Sequence, residues 1–119
     1  MRRRAALAGL FGAAVGATAR AAGLAFVMVE HRACPFCHAW HRAIGPIWPK
    51  SDLGRRAPLR RVELGAEPLP AAIGEVRVTP TFVLVADGRE VGRIVGYQGE
   101  TLFWQQAEAL FARLDGSGR

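Results

Sequence analysis

Sulfur is scarce in this chain. Only two cysteines occur among its 119 residues, Cys34 and Cys37, and they form a single C-x-x-C. A disulfide-dense secreted scaffold is therefore excluded. Closing so small a loop constrains an unfolded chain little, so a purely structural staple is a poor use of the pair. A reactive or ligating role is favoured instead. Methionine is equally rare: Met1 and Met28 are the only two, and neither follows the cysteines. There is no internal repeat, and Gly and Pro are spread too evenly to make a low-complexity tract. No apolar run reaches the ~20 residues of a membrane span. Only 22% of the residues are charged and half are apolar, so one domain can bury a real core.

The first twenty-odd residues differ from the rest. Arg2, Arg3 and Arg4 precede an Ala- and Gly-rich apolar stretch from Ala5 to Val15. Small residues then bracket Ala19-Arg20-Ala21, which fits an A-x-A cleavage site. This is the pattern of a secretory signal peptide over residues 1–21, leaving a domain over 22–119. Retention as an uncleaved anchor is the bland alternative. The net charge of +6 is mostly a leader effect, because removing residues 1–21 leaves 12 basic and 10 acidic side chains, a net +2. The pairs Arg55-Arg56 and Arg60-Arg61 have no aromatics interleaved. They read as a solvated face or a docking patch for an acidic partner, and nucleic acid is not expected to bind.

After the leader, Leu24 to Val29 is a continuous apolar run of the kind that forms a buried central strand. Cys34-Pro-Phe-Cys37 follows, with Pro35 placed to open a helix that runs through His38 to Ile44 and stops at Gly45-Pro46. Pro46 to Pro58 reads as a long irregular connection. Leu59 to Leu64 is a second strand, and Glu67 to Gly74 holds at most a short helix, weakened by Pro68 and Pro70. Thr81 to Ala86 is a strong strand, Asp87-Gly88 a hairpin turn and Arg89 to Val95 the returning strand. Gly99 to Leu114 is a helix with Phe103, Ala107, Leu110 and Leu114 as its apolar stripe. A strand feeding a helix and a second strand makes a right-handed parallel unit. The final hairpin is antiparallel. An α/β fold follows, a four-stranded mixed sheet flanked by helices.

Thiol–disulfide exchange needs a thiolate to attack a disulfide sulfur and a second thiol to release the mixed disulfide. A C-x-x-C at a helix N-terminus supplies both, because backbone N–H groups and the helix dipole favour negative charge on the first sulfur. Cys34 is the expected nucleophile and Cys37 the resolving thiol. Phe36, between them, would shape a docking surface. His31, three residues upstream, is either a solvated turn residue or a cation that lowers the Cys34 pKa. His38 and His41 read as polar-face helix residues, the three tryptophans as packing residues, and Tyr97 has no assigned role.

Two further stretches carry a resemblance. Val78-Thr79-Pro80-Thr81-Phe82 opens the third strand, and Asp87 to Gly92 with Val95-Gly96-Tyr97 forms the hairpin and its following glycine. With the C-x-x-C, these resemble the thioredoxin superfamily from Leu24 to about Leu114. That resemblance implies a cis-proline at Pro80 beside the cysteines. Thr79, Pro80, Pro35 and Phe36 would then line the groove for an extended substrate segment. Cys-Pro-Phe-Cys, Gly45-Pro-Ile, Arg56-Ala-Pro-Leu-Arg60, Thr79-Pro-Thr-Phe-Val-Leu84 and Gly92-Arg-Ile-Val-Gly-Tyr97 are similar to the SoxS-like group of periplasmic thioredoxin-like proteins in bacterial sulfur oxidation. The group implies a reductase that keeps the cysteine of a sulfur-carrier partner (a Sox carrier protein) active. Its substrate would be a protein disulfide or persulfide, its electrons would come from a membrane-embedded reductant, and it would work as a monomer without a cofactor.

Two departures stand out. Thioredoxin carries a buried Asp six residues before its first cysteine, and Met28 stands there. A proton-transfer aid for Cys37 is then missing or comes from another group such as Glu30. Pro35-Phe36 is of glutaredoxin type, yet the Gly-Gly pair of glutathione sites is replaced by Phe82-Val-Leu, so glutathione is not the expected substrate.

Three other readings compete. Cys34-Pro-Phe-Cys37-His38 matches the attachment string of c-type haem, but no methionine lies downstream as a second axial ligand. Cys34, Cys37, His38 and His41 could ligate a metal, although one helical turn cannot easily bring four such side chains to a tetrahedron. A non-catalytic regulatory module on the same fold would bind its partner without either thiol.

Overall fold

The computed structural model describes residues 23–116, so the leader and the last three residues lie outside it. The apolar run becomes strand β1, Leu24–Glu30, with every residue from Phe26 onward buried. It is central because it is flanked on both sides. Helix α1 (Pro35–Ala43) follows, then a short helix α2 (Asp52–Arg56), and β2 (Leu59–Glu63) lies parallel to β1. Strand β3 (Thr81–Ala86) runs antiparallel on the other side of β1, and β4 (Arg89–Val95) forms the outer edge. The sheet order is β2-β1-β3-β4, with helix α3 (Glu100–Ala112) packed last. The hairpin between β3 and β4 turns at Asp87 (φ 51°) and Gly88 (φ 78°), the left-handed pair that a tight two-residue turn needs.

Side chains alternate along β1, so the sheet has two different faces. Phe26 and Met28 point to one face, covered by Trp40 of α1, Ile44 and Trp48 just after it, Leu53 of α2, and Phe103 and Phe111 of α3. Phe111 joins the expected stripe of α3, while Leu114 is only half-buried in a closing 3-10 turn. Val27, Val29, Val62 and Val83 point to the other face, against Ile73 and Val76.

Two expectations need correction. No helix forms over 67–74. Pro68 and Pro70 remove N–H donors there, and Pro70 pushes Leu69 away from helical geometry. One turn remains, from Ile73 N–H to the Pro70 carbonyl at 3.0 Å. Conversely, Pro46–Pro58 is not irregular. It holds a 3-10 turn at Trp48–Lys50, with Pro49 in its first turn, where a missing N–H costs nothing, and then α2. Ser51 caps α2 by accepting from the Gly54 N–H at 3.0 Å. A side chain at Gly54 would collide with the Trp48 carbonyl, so the sharp approach of the two turns depends on that glycine.

Candidate active site

Antiparallel pairing of β1 and β3 places the end of one strand beside the start of the other. Val29 faces Thr81 in the register, so the loop leaving β1 and the Val78–Pro80 segment entering β3 meet at one end of the sheet. The Thr79–Pro80 peptide is cis. Pro80 is buried and Thr79 half-buried. Two hydrogen bonds hold this entry: Thr81 Oγ1 donates to the Val78 carbonyl at 2.6 Å, and the Gly96 N–H donates to the Pro80 carbonyl at 2.7 Å.

Cys34 is the N-cap of α1. Its sulfur accepts the Cys37 N–H at 3.1 Å, one of the donors that a helix start leaves unpaired. Cys34 and Cys37 are joined as a disulfide with Cα atoms 5.2 Å apart. Cys34 is 7% exposed and Cys37 0%, so the first sulfur is the one an incoming partner can reach. Pro35, exposed at the first helical position, starts the helix without wasting a donor. His31 anchors the preceding turn: its Nδ1 accepts the Ala33 N–H at 3.1 Å, and its carbonyl accepts the Cys34 N–H at 3.0 Å. That ring nitrogen carries a lone pair in this arrangement, so His31 is a turn residue here.

An apolar groove of about 280 Å³ lies alongside, lined by Phe36, Val78, Thr79, Gly96, Tyr97 and Gln98. Phe36 is 61% and Val78 49% exposed, unusually high for large apolar side chains flanking a structured loop. Burial, with the Glu100 carboxylate second, pushes the Tyr97 phenol up, so it meets the groove as a neutral hydroxyl. Tyr97, Val78 and Gln98 were not among the candidates from sequence. The Gly96-Tyr97 dipeptide closing the last strand was the available signal for the first of them.

Behind the cysteines, Glu30 is the buried charged side chain of the described core. Its carboxylate accepts from His41 Nε2 at 2.8 Å and from Arg61 Nε at 2.5 Å. Burial raises its pKa, but the hydrogen bonds from Arg61 and His41 outweigh that effect. Together they hold it below the usual value of 4.5. His41 is thus half-buried against a strand, not an ordinary polar-face residue. The arginine pairs are largely spoken for: Arg55 meets Asp52, Arg56 meets Asp115 and lies over the Phe111 ring, and Arg61 meets Glu30. Trp40 and Trp48 are fully buried, and Trp104 stacks on Trp48 at 5.8 Å, so all three pack the helical face.

Among the described residues no three His, Cys, Asp or Glu side chains converge on one point. His38 projects into solvent, and Met28 is sealed in the core.

The family model for a thioredoxin-like domain matches residues 12–111. Among solved structures, the periplasmic thioredoxin SoxS from Paracoccus pantotrophus, in its reduced form, is 38% identical with a TM-score of 0.71. That similarity covers 76% of this chain and 98% of that one. Thioredoxin from Fasciola hepatica aligns at 23% identity and a TM-score of 0.59, over 74% of this chain and 81% of its own. Thioredoxin from Aeropyrum pernix aligns at 24% and 0.53, over 75% and 76%. At those identities the latter two speak for the fold alone. No curated protein matches the chain. The matched domain spans most of the sequence and includes the C-x-x-C disulfide, and the chain therefore belongs to the thioredoxin-like family, as a thiol–disulfide oxidoreductase.

Proposed function

We propose that this protein is a periplasmic reductase of protein disulfides or persulfides, in which Cys34 attacks and Cys37 resolves. One observation carries the reading. The more exposed sulfur caps the helix whose Phe36 shares an apolar groove with Thr79, the residue before cis-Pro80. Among the described residues no hydrogen bond engages the Thr79 N–H or carbonyl. That leaves a donor and an acceptor for a partner's backbone, in the manner of an added strand. Phe36 lines the same groove from the helix side, and Pro35, exposed beside it, is part of the proposed docking surface.

The reaction begins with the reduced pair. The Cys34 thiolate, favoured by the N–H groups of the helix start, attacks a sulfur of the partner and expels the other as a thiolate or hydrosulfide. Cys37 then attacks Cys34, the mixed disulfide breaks and the partner leaves as a thiol. Similarity to SoxS supports a periplasmic setting and a sulfur-carrier protein as partner, with residues 1–21 as the export signal. Regeneration of the dithiol requires an outside reductant, for which a membrane-embedded donor is the fitting class.

Trapping tests the assignment. In periplasmic extract, Cys37→Ser accumulates a mixed disulfide with its partner and Cys34→Ser does not. Both variants lose reduction of insulin. Retention of that activity by either variant would refute the proposal, as would equal trapping by both.

A further inference from the structure

We propose that the free edge of β2 is a docking site for an extended acidic segment of a partner protein, which adds to the sheet as a further strand. The pairing of β1 with β2 fixes which backbone groups are open. In a parallel ladder, alternate residues turn both N–H and C=O toward the neighbouring strand. The Phe26 N–H donates to the Pro58 carbonyl at 3.1 Å, and the Leu64 N–H donates to the Glu30 carbonyl at 2.8 Å. Phe26 lies opposite Leu59 and Glu30 opposite Glu63, so Arg60 and Val62 are the β2 residues that bond to β1. Leu59, Arg61 and Glu63 turn their backbone groups outward.

Glu63 is already satisfied. Its N–H donates to the Glu67 carboxylate at 3.2 Å, and its carbonyl accepts from the Ala66 and Glu67 N–H groups at 3.2 and 3.3 Å. Leu59 and Arg61 are not. β2 is the last strand on its side of the sheet, and among the described residues no hydrogen bond reaches their outward groups. An N–H and a C=O on each thus stand open along one edge, the arrangement to which an extended chain adds. The opposite edge is less inviting, because β4 carries a register shift opposite Leu84 and Val85 and the Glu90–Arg93 pair.

Charge selects the occupant. Of Arg55, Arg56, Arg60 and Arg61, only Arg60 makes no ion pair among the described residues, and it is exposed. It sits between the two open residues, on the sheet face of Val62. Arg61 adds a second cation on the other face and stays 61% exposed beside Glu30. Leu59, half-buried against the aromatic core, offers an apolar neighbour on that same face. An acid opposite Arg60, flanked by apolar residues, matches this strip.

A second copy of the chain does not match it. Two-fold symmetry would make the paired β2 strands antiparallel, with open residues facing open residues. The register that pairs Leu59 and Arg61 of one strand with Arg61 and Leu59 of the other sets Arg60 directly against Arg60, and like charges in that position destabilise. The arginines therefore discourage self-pairing while admitting an acidic chain. The site also leaves the catalytic groove free. β2 lies on the side of β1 away from β3, and Thr79–Pro80 leads into β3. A partner gripped at β2 is held by a contact that does not depend on the redox state of the cysteines.

Amide hydrogen exchange followed by NMR tests the placement, on the full-length chain in its disulfide form. The probe is a short peptide of alternating valine and glutamate, at up to about 1 mM. It should slow exchange at Leu59 and Arg61 at least about ten-fold and leave Arg60 and Val62, already bonded to β1, within about two-fold. Added salt should weaken binding. Arg60→Glu should weaken it at least about five-fold and shift the preference to the lysine counterpart of the peptide. Absence of binding by the glutamate peptide overturns the proposal. So does binding that leaves Leu59 and Arg61 unprotected, which would place the peptide on another surface. Protection of both amides in the free chain overturns it too, because the edge would then be filled by the chain's own residues or by a second copy, which sedimentation tells apart. Equal binding by Arg60→Glu would refute charge as the selector and with it the acidic partner. None of these readouts involves thiol chemistry, so they stand or fall separately from the exchange reading.

Discussion

The two faces of this sheet are built from different materials and contribute different parts of the site. The face under α1, α2 and α3 is aromatic: Phe26 stacks on Trp48 at 4.4 Å and on Phe82 at 5.7 Å, and Phe103 meets them edge-on. The opposite face is aliphatic, four valines under Ile73 and Val76 from a segment without helix. The first face holds both cysteines and the Glu30–His41 pair. The second ends in Val78, Thr79 and Pro80. The reactive sulfur thus stands on the heavily packed side, and the groove is shared: Phe36 and Tyr97, the latter edge-on to Phe103 at 6.3 Å, come from the aromatic side, while Val78 and Thr79 continue the segment that carries Ile73 and Val76. Chemistry that requires sub-ångström placement gains from the first, and a surface that must meet another chain can be built from the second.

The contrast is open to direct test in stability. Phe26 is fully buried and touches several rings, so Phe26→Ala should cost about 3–5 kcal/mol. Against a typical total of about 5–15 kcal/mol, that is a large share. On the other face, Ile73→Val should cost only about 0.5–1.5 kcal/mol. Urea unfolding of both variants checks the ranking. Equal losses would mean that the aliphatic side is packed as tightly as the aromatic one.

How much of this was legible beforehand follows the same division. The helical face announced itself through a continuous apolar strand, a proline at the first helical position and a periodic stripe on the last helix. Strand β3 and its Asp87-Gly88 turn were equally plain. The Thr79–Pro80 entry was recognised through resemblance, since nothing in local propensity favours a cis bond. Residues 46–58 and 67–74 depart from the sequence expectation in opposite directions. Proline tells where N–H donors are missing, but a Ser51 cap and an approach at Gly54 are tertiary facts. The Glu30–His41 contact spans 11 residues and forms only because the crossover folds α1 back onto β1. Met28 in place of an acid points to that carboxylate in the sequence, whereas His41 reads there as a polar-face helix residue. Tyr97 joins the groove because β4 ends beside Pro80, a matter of register.

The Glu30–His41 pair also gives its end of the sheet a pH signature that Ile73 and Val76 lack. The folded pKa of Glu30 lies below its ordinary value of 4.5, so its ionised form stabilises the native state. That contribution is complete above the unfolded value and is lost as pH falls through the folded one. Glu30→Gln should therefore lower Tm at neutral pH, and the gap to wild type should close on acidification below about 4.5. Ile73→Val should show a gap independent of pH over the same range. A constant gap for Glu30→Gln would mean that its charge adds nothing to stability.

The smallest effect on stability should accompany a large one on recognition. Phe36 is more than half exposed, so Phe36→Ala should change unfolding free energy by no more than about 0.5 kcal/mol. If a partner chain covers that ring on docking, the variant forfeits roughly 1.5 kcal/mol of apolar burial, about a ten-fold loss in kcat/KM on a protein disulfide. A small aromatic disulfide, too short to reach across the groove, should react at the wild-type rate. The ratio of the two losses isolates the groove from the sulfur. Equal losses on both substrates would place Phe36 in the tuning of Cys34, and the division of labour between the two faces would then fail at the residue that lies between the cysteines.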